Sequence, residues 1–273
     1  SRIIVCWEGG GSARRRQILP EYKMNRKPIK LNRSDIYEDI PDTKENFNYQ
    51  IQLLTKLLAY LPVQQAYVGE CEADDIIGYV CRYEFPDKEK LIISMDQDMH
   101  QLLTDKTLQY SPASKKMLGP DYVLERYGVS VENFVTARCF IGDTSDGIAG
   151  IKGCGFKSLV KRFPELTSDE FVSVSDILSL CKLRNEEKSY AMFRKMLAEP
   201  DVPLRNWKLM YLDNSNLSAE HVKKLKYAIA NYEIKRDKIG MAMELIKEGV
   251  DMPRGLDIDK LYMRINACIK KQG

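Results

Sequence analysis

Histidine is nearly absent from this chain of 273 residues. Only His100 and His221 occur, each alone, which argues against a histidine-rich zinc site. The seven cysteines are an odd number, with no pair separated by two residues. A disulfide framework or a zinc knuckle is therefore not indicated, and a reducing cytoplasm fits best. No apolar run reaches membrane-spanning length and no signal peptide is visible, so no membrane partner is expected. A large excess of one charge is missing too: the net charge is +3, against the profile of a uniformly basic nucleic-acid binder. Hydrophobic residues at 44% are enough for one large domain or two modest ones, and the composition is not that of a disordered chain.

What the chain has is clustered charge. Seven carboxylates fall in three groups: Glu72-Ala73-Asp74-Asp75, Asp96-Gln97-Asp98 and Asp143-Thr144-Ser145-Asp146. Each group borders an apolar run, where an uncompensated charge is costly. Glu72, Asp74 and Asp75 lie within one helical turn, and Asp143 and Asp146 are three apart, a spacing that brings side chains together. Asp96 and Asp98 follow the apolar run Leu91-Ile92-Ile93 and, two apart in extended chain, point the same way. Glu8 follows another strand-like run, Ile3 to Cys6. Open α/β sheets gather ligands beyond the carboxyl ends of strands, where Glu8 and Asp96 would sit. Any one cluster reads as solvated surface acids and helix caps; three in series read as a nest for hard divalent cations, which prefer carboxylate oxygen. Two such ions stabilise the attacking and leaving oxygens of a phosphodiester displacement.

The alternation of short apolar runs with helical patterns predicts an α/β fold with a mostly parallel central sheet flanked by helices. Strands are expected at Ile3–Cys6, Ala66–Val68 and Leu91–Ser94, and helices at 47–61 and 72–83. Beyond about residue 120 helical patterns dominate: 120–127, 131–141, 155–163, 168–180, 186–198, 218–231, 233–247 and 257–270. Three consecutive segments are expected: an α/β core over 1–118, a helical region over 119–205, and C-terminal helices over 206–273 packed on the core. Residues 34–45, rich in acids and bearing a proline, read as a mobile connection.

Directly after the third acidic group comes Gly150-Ile151-Lys152-Gly153-Cys154-Gly155-Phe156-Lys157, between two helical patterns. Glycines permit close approach of backbone to phosphate. Lys152, Lys157 and Lys161 add charge, and phosphate binding is the reading favoured over a plain glycine-capped turn. The stretch lacks the Gly-Lys-Ser/Thr of a nucleotide P-loop. In the basic arm at 13–33, Arg15, Lys23 and Arg26 read equally as phosphate contacts or as a solvated basic face.

In series, these residues resemble the 5′ nuclease (flap endonuclease) family, which includes the N-terminal domain of bacterial DNA polymerase I and standalone phage 5′-exonucleases. The resemblance rests on Leu19 to Arg26, Glu72 to Ile77, Ser94 to Leu103 and Ile141 to Lys157, with a weaker match at Asp201-Val202-Pro203-Leu204. It implies a PIN-like sheet with an arch over 24–46 that admits a single-stranded 5′ end. It also implies a helix–three-turn–helix motif at 138–163 that grips duplex DNA, with K⁺ at the 150–157 hairpin. Glu72, Asp74, Asp75 and Asp96 resemble ligands of a first Mg²⁺, with Mn²⁺ able to substitute; Asp98, Asp143 and Asp146 resemble those of a second. Lys23 resembles the contact to the scissile phosphate, with Arg15 and Arg26 as accessory contacts. Lys30, Lys152, Gly153, Gly155, Lys157 and Lys161 complete the implied DNA-binding set. Glu8 stands where the family usually has aspartate. The family's opening Asp-Gly strand has no counterpart here and would precede Ser1.

The reading is a monomeric, metal-dependent nuclease acting on branched or flapped DNA during replication or repair, cytoplasmic and of phage or other standalone type. One rival is a family member that grips branched DNA without cutting it. The other is a magnesium phosphatase built on Asp96 and Asp98, which leaves the remaining acids and the hairpin unexplained.

Overall fold

The computed structural model describes residues 2–24, 30–31, 39–250 and 257–269. Along the chain run β1 (Ile4–Trp7), α1 (Ala13–Ile18), α2 (Lys44–Leu58), β2 (Gln64–Tyr67), α3 (Ala73–Tyr79), β3 (Lys90–Ile93), β4 (Thr107–Ser111) and β5 (Lys116–Leu118). There follow α4 (Pro120–Tyr127), α5 (Val131–Ile141), β6 (Gly142–Asp143), β7 (Ile148–Ala149), α6 (Phe156–Arg162), α7 (Val174–Glu187), α8 (Ala191–Ala198), α9 (Asp201–Met210), α10 (Ala219–Ala230), α11 (Lys238–Lys247) and α12 (Ile258–Ile269). None of the described helices is long and apolar enough to cross a membrane.

The chain divides into two compact units, one of residues 1–8, 27–69 and 219–273, the other of 9–26 and 70–218. This division runs across the three consecutive segments expected from the sequence. In the first unit β1 and β2 pair in parallel, Ile4 opposite Gln64. Its core joins Leu61 and Val63 to Met241, Leu245 and Tyr262, with Leu57 and Leu58 of α2 packed against them.

The second unit is built around α5. Asn133 to Ala137, Cys139 and Phe140 are all buried, so the helix is covered on nearly every face, with Asn133 and Thr136 hydrogen-bonded inside. Phe134, Phe140, Leu159, Phe163, Ile177 and Phe193 share its core. Pro120 opens α4 and Gly128, at φ 75°, closes it, the usual asymmetry of helix ends. β3 pairs in parallel with β4, and β4 antiparallel with β5.

The α/β class expected from sequence is present, but among the described residues its strands are shared among three small sheets. The helix expected over 168–180 begins later, because Ser173 caps α7 by accepting from the Asp176 N–H at 3.1 Å. The pattern over 186–198 is interrupted, since Tyr190 is extended and α8 starts only at Ala191. Arg26 and most of the residues 24–46 assigned to an arch and a mobile connection lie outside the described residues.

Candidate active site

Three elements of the second unit carry the acids: the start of α3, the 3₁₀ turn after β3, and the β6–β7 hairpin. Glu72 is the N-cap of α3, with Asp74 and Asp75 in its first turn, where the helix dipole favours negative charge. Asp96 caps the 3₁₀ turn Gln97–Leu102, its Oδ1 accepting from the Asp98 N–H at 2.8 Å. Asp143 sits opposite Ile148 in the hairpin. Two glycines make that hairpin possible. A Cβ on Gly150 would lie 2.0 Å from the Ile141 carbonyl oxygen, and one on Gly142 would lie 2.4 Å from the Gly150 nitrogen. From α9, the fully buried Asn206 donates to the Cys139 and Ala149 carbonyls at 2.8 and 2.9 Å, tying the hairpin to α5.

Around α3 the acids are met by buried cations. Arg15, 2% exposed, donates from Nη1 and Nη2 to the two Asp75 oxygens, both at 2.7 Å. It also reaches Glu72 Oε2 at 3.2 Å and the Leu209 carbonyl at 2.7 Å. These bonds bear on two expectations. The Arg15 guanidinium, expected as an accessory phosphate contact, serves as an internal counter-charge in this arrangement. Asp75, expected as a metal ligand, is its partner here, and Asn216 also donates to it, at 3.0 Å.

Lys23 is placed differently. Its φ is 60°, a left-handed conformation that costs on the order of 1–3 kcal/mol in a non-glycine residue and concentrates at functional sites. Its backbone N–H donates to the Asp146 carbonyl at 2.9 Å. Its ammonium stands 2.8 Å from Glu72 and 3.6 Å from Asp146. The Tyr22 hydroxyl donates to Glu72 Oε2 at 3.0 Å, and burial followed by the Glu72 charge pushes this phenol well above its ordinary range. Burial pushes the Glu72 carboxyl up as well, but Arg15 and Lys23 outweigh it and hold the group below its usual value.

A second group faces Arg138 of α5. Its Nη2 donates to Asp98 at 3.2 Å and to Asp143 at 2.6 Å. Ser145 adds donors to Asp143 from its N–H at 2.9 Å and its hydroxyl at 2.6 Å. Burial pushes the Asp98 carboxyl up to about 6; Arg138 pulls against this, while Asp96, Asp143 and Asp146 reinforce it. The two groups therefore share one electrostatic field, and it is short of positive charge.

Sequence reasoning missed Arg138, Asn216 and Gln109. Gln109, 1% exposed, donates to the Ser94 and Asp96 carbonyls at 2.9 and 3.0 Å and contacts His100 Nδ1 at 2.9 Å. It holds the loop that carries Asp96 and Asp98. A lone arginine in an apolar helical run was the one local signal for Arg138; nothing local marked the other two.

Among the described residues no three carboxyl, thiol or imidazole groups already converge as a metal-holding set. The donors present are nonetheless all oxygen, in a field deficient in cations, which suits a hard divalent ion. Asp74 and Asp146 are half-buried and Asp96 is exposed. Glu8 follows β1 in the first unit and is exposed; Lys30, also exposed, belongs to that unit.

After the acids, residues 150–157 form a turn in which Gly153 has φ 97° and nothing within 4 Å of a Cβ. Ser158 Oγ accepts from the Gly155 N–H at 2.9 Å. Lys152, Lys157 and Lys161 are exposed. An open hollow of about 610 Å³ lies over the turn, lined by Arg126, Gly153, Gly155 and Lys157 among others.

The second unit thus carries acids at a helix start, after a strand end and in a hairpin, followed by a lysine-bearing helical turn. Residues 1–128 match the family model of the 5′-3′ exonuclease N-terminal, resolvase-like domain. A 5′-3′ exonuclease of Buchnera aphidicola (subsp. Schizaphis graminum) is 30% identical over 169 residues, covering 60% of this chain and 54% of that protein. A thermostable DNA polymerase I of Thermus thermophilus is 28% identical over 169 residues, covering 62% of this chain and 18% of the polymerase. The phage T5 D15 protein, co-crystallised with metal ions, superposes with TM-score 0.69 at 23% identity, over 84% of this chain and 83% of that one. A D15 flap endonuclease variant in a complex with DNA and metal ions superposes at 0.65 and 22% identity, over 84% of this chain and 83% of that one. The chain is thus similar, in its first 128 residues and in its fold, to members of the 5′ nuclease family. It spans about half the length of the first of these curated relatives and under a fifth of the second.

Proposed function

We propose that the protein is a divalent-metal-dependent, structure-selective 5′ nuclease. It acts as a flap endonuclease and 5′-3′ exonuclease on branched DNA with a single-stranded 5′ end, in replication or repair. The observation that carries this is the charge balance of the site. Seven carboxylates (Glu72, Asp74, Asp75, Asp96, Asp98, Asp143 and Asp146) stand against three cations, Arg15, Lys23 and Arg138, leaving four negative charges. That excess equals the charge of two divalent ions.

Glu72, Asp74 and Asp96 would hold one Mg²⁺, with Mn²⁺ able to substitute, and Asp98, Asp143 and Asp146 the other. Such ions, when bound, supply a water of lowered pKa and offset charge on the phosphodiester. The chain's own part is placement. Lys23, set at the site by its φ of 60° and its bond to the Asp146 carbonyl, holds the scissile phosphate once its carboxylate partners are otherwise neutralised. Arg26 stays an accessory phosphate contact in this reading. The 150–157 turn and Lys161 grip duplex backbone, with K⁺ on the turn's carbonyl oxygens. Recognition is by DNA shape, because phosphate contacts carry no sequence information. The protein works as a monomer in a reducing cytoplasm, where its seven free thiols persist.

Asp143→Ala tests this reading. Loss of flap cleavage with flap binding retained supports it. Undiminished turnover, with contaminating nuclease excluded, contradicts it. Wild-type binding without cleavage at any metal concentration favours the non-cutting member of the family.

A further inference from the structure

Two stretches of the second unit carry positive charge and no acid. Residues 150–162 hold Lys152, Lys157, Lys161 and Arg162, and residues 188–198 hold Lys188, Arg194 and Lys195. They meet in the fold. Lys195 Nζ donates to the Lys152 carbonyl at 3.4 Å. Behind that bond the rings of Phe163 and Phe193 lie 5.6 Å apart and lock α6 to α8. The Arg162 guanidinium sits 3.5 Å over the Tyr190 ring, and Lys188 Nζ lies 5.5 Å from the same ring. Of the bordering acids, Glu165 is bonded to Arg184, while Glu186, Glu187 and Glu199 lie outside both stretches.

We propose that this joined surface is a second duplex-binding track, in which Arg162, Lys188, Arg194 and Lys195 extend the grip of the 150–157 turn along the DNA backbone. The inference rests on the DNA-binding reading above and adds Lys188, Arg194 and Lys195, which lie outside every motif. Its ligand is duplex backbone. Single-strand binders stack bases on open aromatic faces, whereas Arg162 covers a face of Tyr190. A guanidinium held 3.5 Å from a ring centroid is already ordered and loses little entropy on binding phosphate. The break between α7 and α8 that brings Tyr190 under Arg162 is thus part of the surface.

The test is fluorescence anisotropy of a labelled duplex bearing a 5′ flap, in EDTA, over a range of KCl concentrations. Wild type is compared with the triple variant Lys188→Ala, Arg194→Ala, Lys195→Ala. Removing one cation that neutralises a phosphate lowers the slope of log affinity against log salt by about 0.9. The control removes the same charge from α10, through Lys223→Ala, Lys224→Ala and Lys226→Ala. The track requires a lower slope in the first variant and a wild-type slope in the second. It also requires that Arg194→Lys with Lys195→Arg, which keeps the charge, retain the wild-type slope. An unchanged slope in the first variant, or an equal fall in the control, overturns the track while leaving the nuclease reading intact. Failure of the wild type to bind the flap removes both.

Discussion

Arg15→Met removes the cation around which the start of α3 is built. The substitution keeps an unbranched stem of similar length and deletes four bonds: two to Asp75, one to Glu72 and one to the Leu209 carbonyl. Asp75 and Glu72 stay behind with side chains 1% and 3% exposed. Breaking a buried pair by deleting one partner costs about 3–5 kcal/mol, because the other charge is left unpaired. At roughly 2–4 °C per kcal/mol for a unit of this size, the melting temperature should fall by at least several degrees. Urea or thermal denaturation followed by circular dichroism reads this directly. The pH dependence has a defined sign. Glu72 is held below its ordinary value of 4.5 in the folded protein. Its contribution is therefore full above that value and lost as pH falls through the lower, folded one. The gap between wild type and variant should narrow in the same acid window. Adding Asp75→Leu to Arg15→Met should recover part of the loss, since replacing both members of a buried pair costs less than orphaning one. A loss under about 1 kcal/mol in the single variant, the scale of an exposed ion pair, together with weakened DNA binding, would refute the internal role and restore Arg15 as a phosphate contact.

Gly150→Ala should unfold the β6–β7 hairpin locally and abolish cleavage, because its Cβ would meet the Ile141 carbonyl at 2.0 Å; normal stability by thermal melt would contradict this. Gln109→Leu keeps the volume but drops the bonds to the Ser94 and Asp96 carbonyls. It should raise the Mg²⁺ concentration needed for half-maximal cleavage by about 10–100-fold, the usual scale for groups that orient metal ligands, with DNA affinity unchanged. An unaltered metal requirement would leave Gln109 a purely structural residue.

Much of the site was legible because clustered acids beside apolar runs are costly without compensation. Asp96, Asp98, Asp143 and Asp146 do act on one another, and Lys23 stands between Asp146 and Glu72. The compensation itself was not legible. Arg15 reaches Asp75 across 60 residues of chain and Arg138 reaches Asp98 across 40, and local sequence carries no trace of these two long-range pairings. Helix ends followed local chemistry: Pro120 and Gly128 bound α4 as spacing suggested. The Ser173 cap overrode an apolar pattern that starts earlier in the sequence. β4 and β5 were not expected, since Thr107 to Ser111 mixes polar and apolar residues and is held by pairing with β3 and β5, a tertiary effect that propensity does not contain.

The central claim is cleavage of DNA from its 5′ end through a metal-loaded carboxylate site. Its most direct measurement is product mapping on a 5′-labelled flap substrate, with Mg²⁺ and with EDTA, by wild type and Lys23→Ala. The account requires short 5′ products with Mg²⁺, none with EDTA, and a cleavage rate lower by about 100-fold or more in the variant, the scale of removing one donor to a charge that develops in the transition state. Equal cleavage with and without EDTA, or a Lys23→Ala variant as fast as wild type, would contradict it.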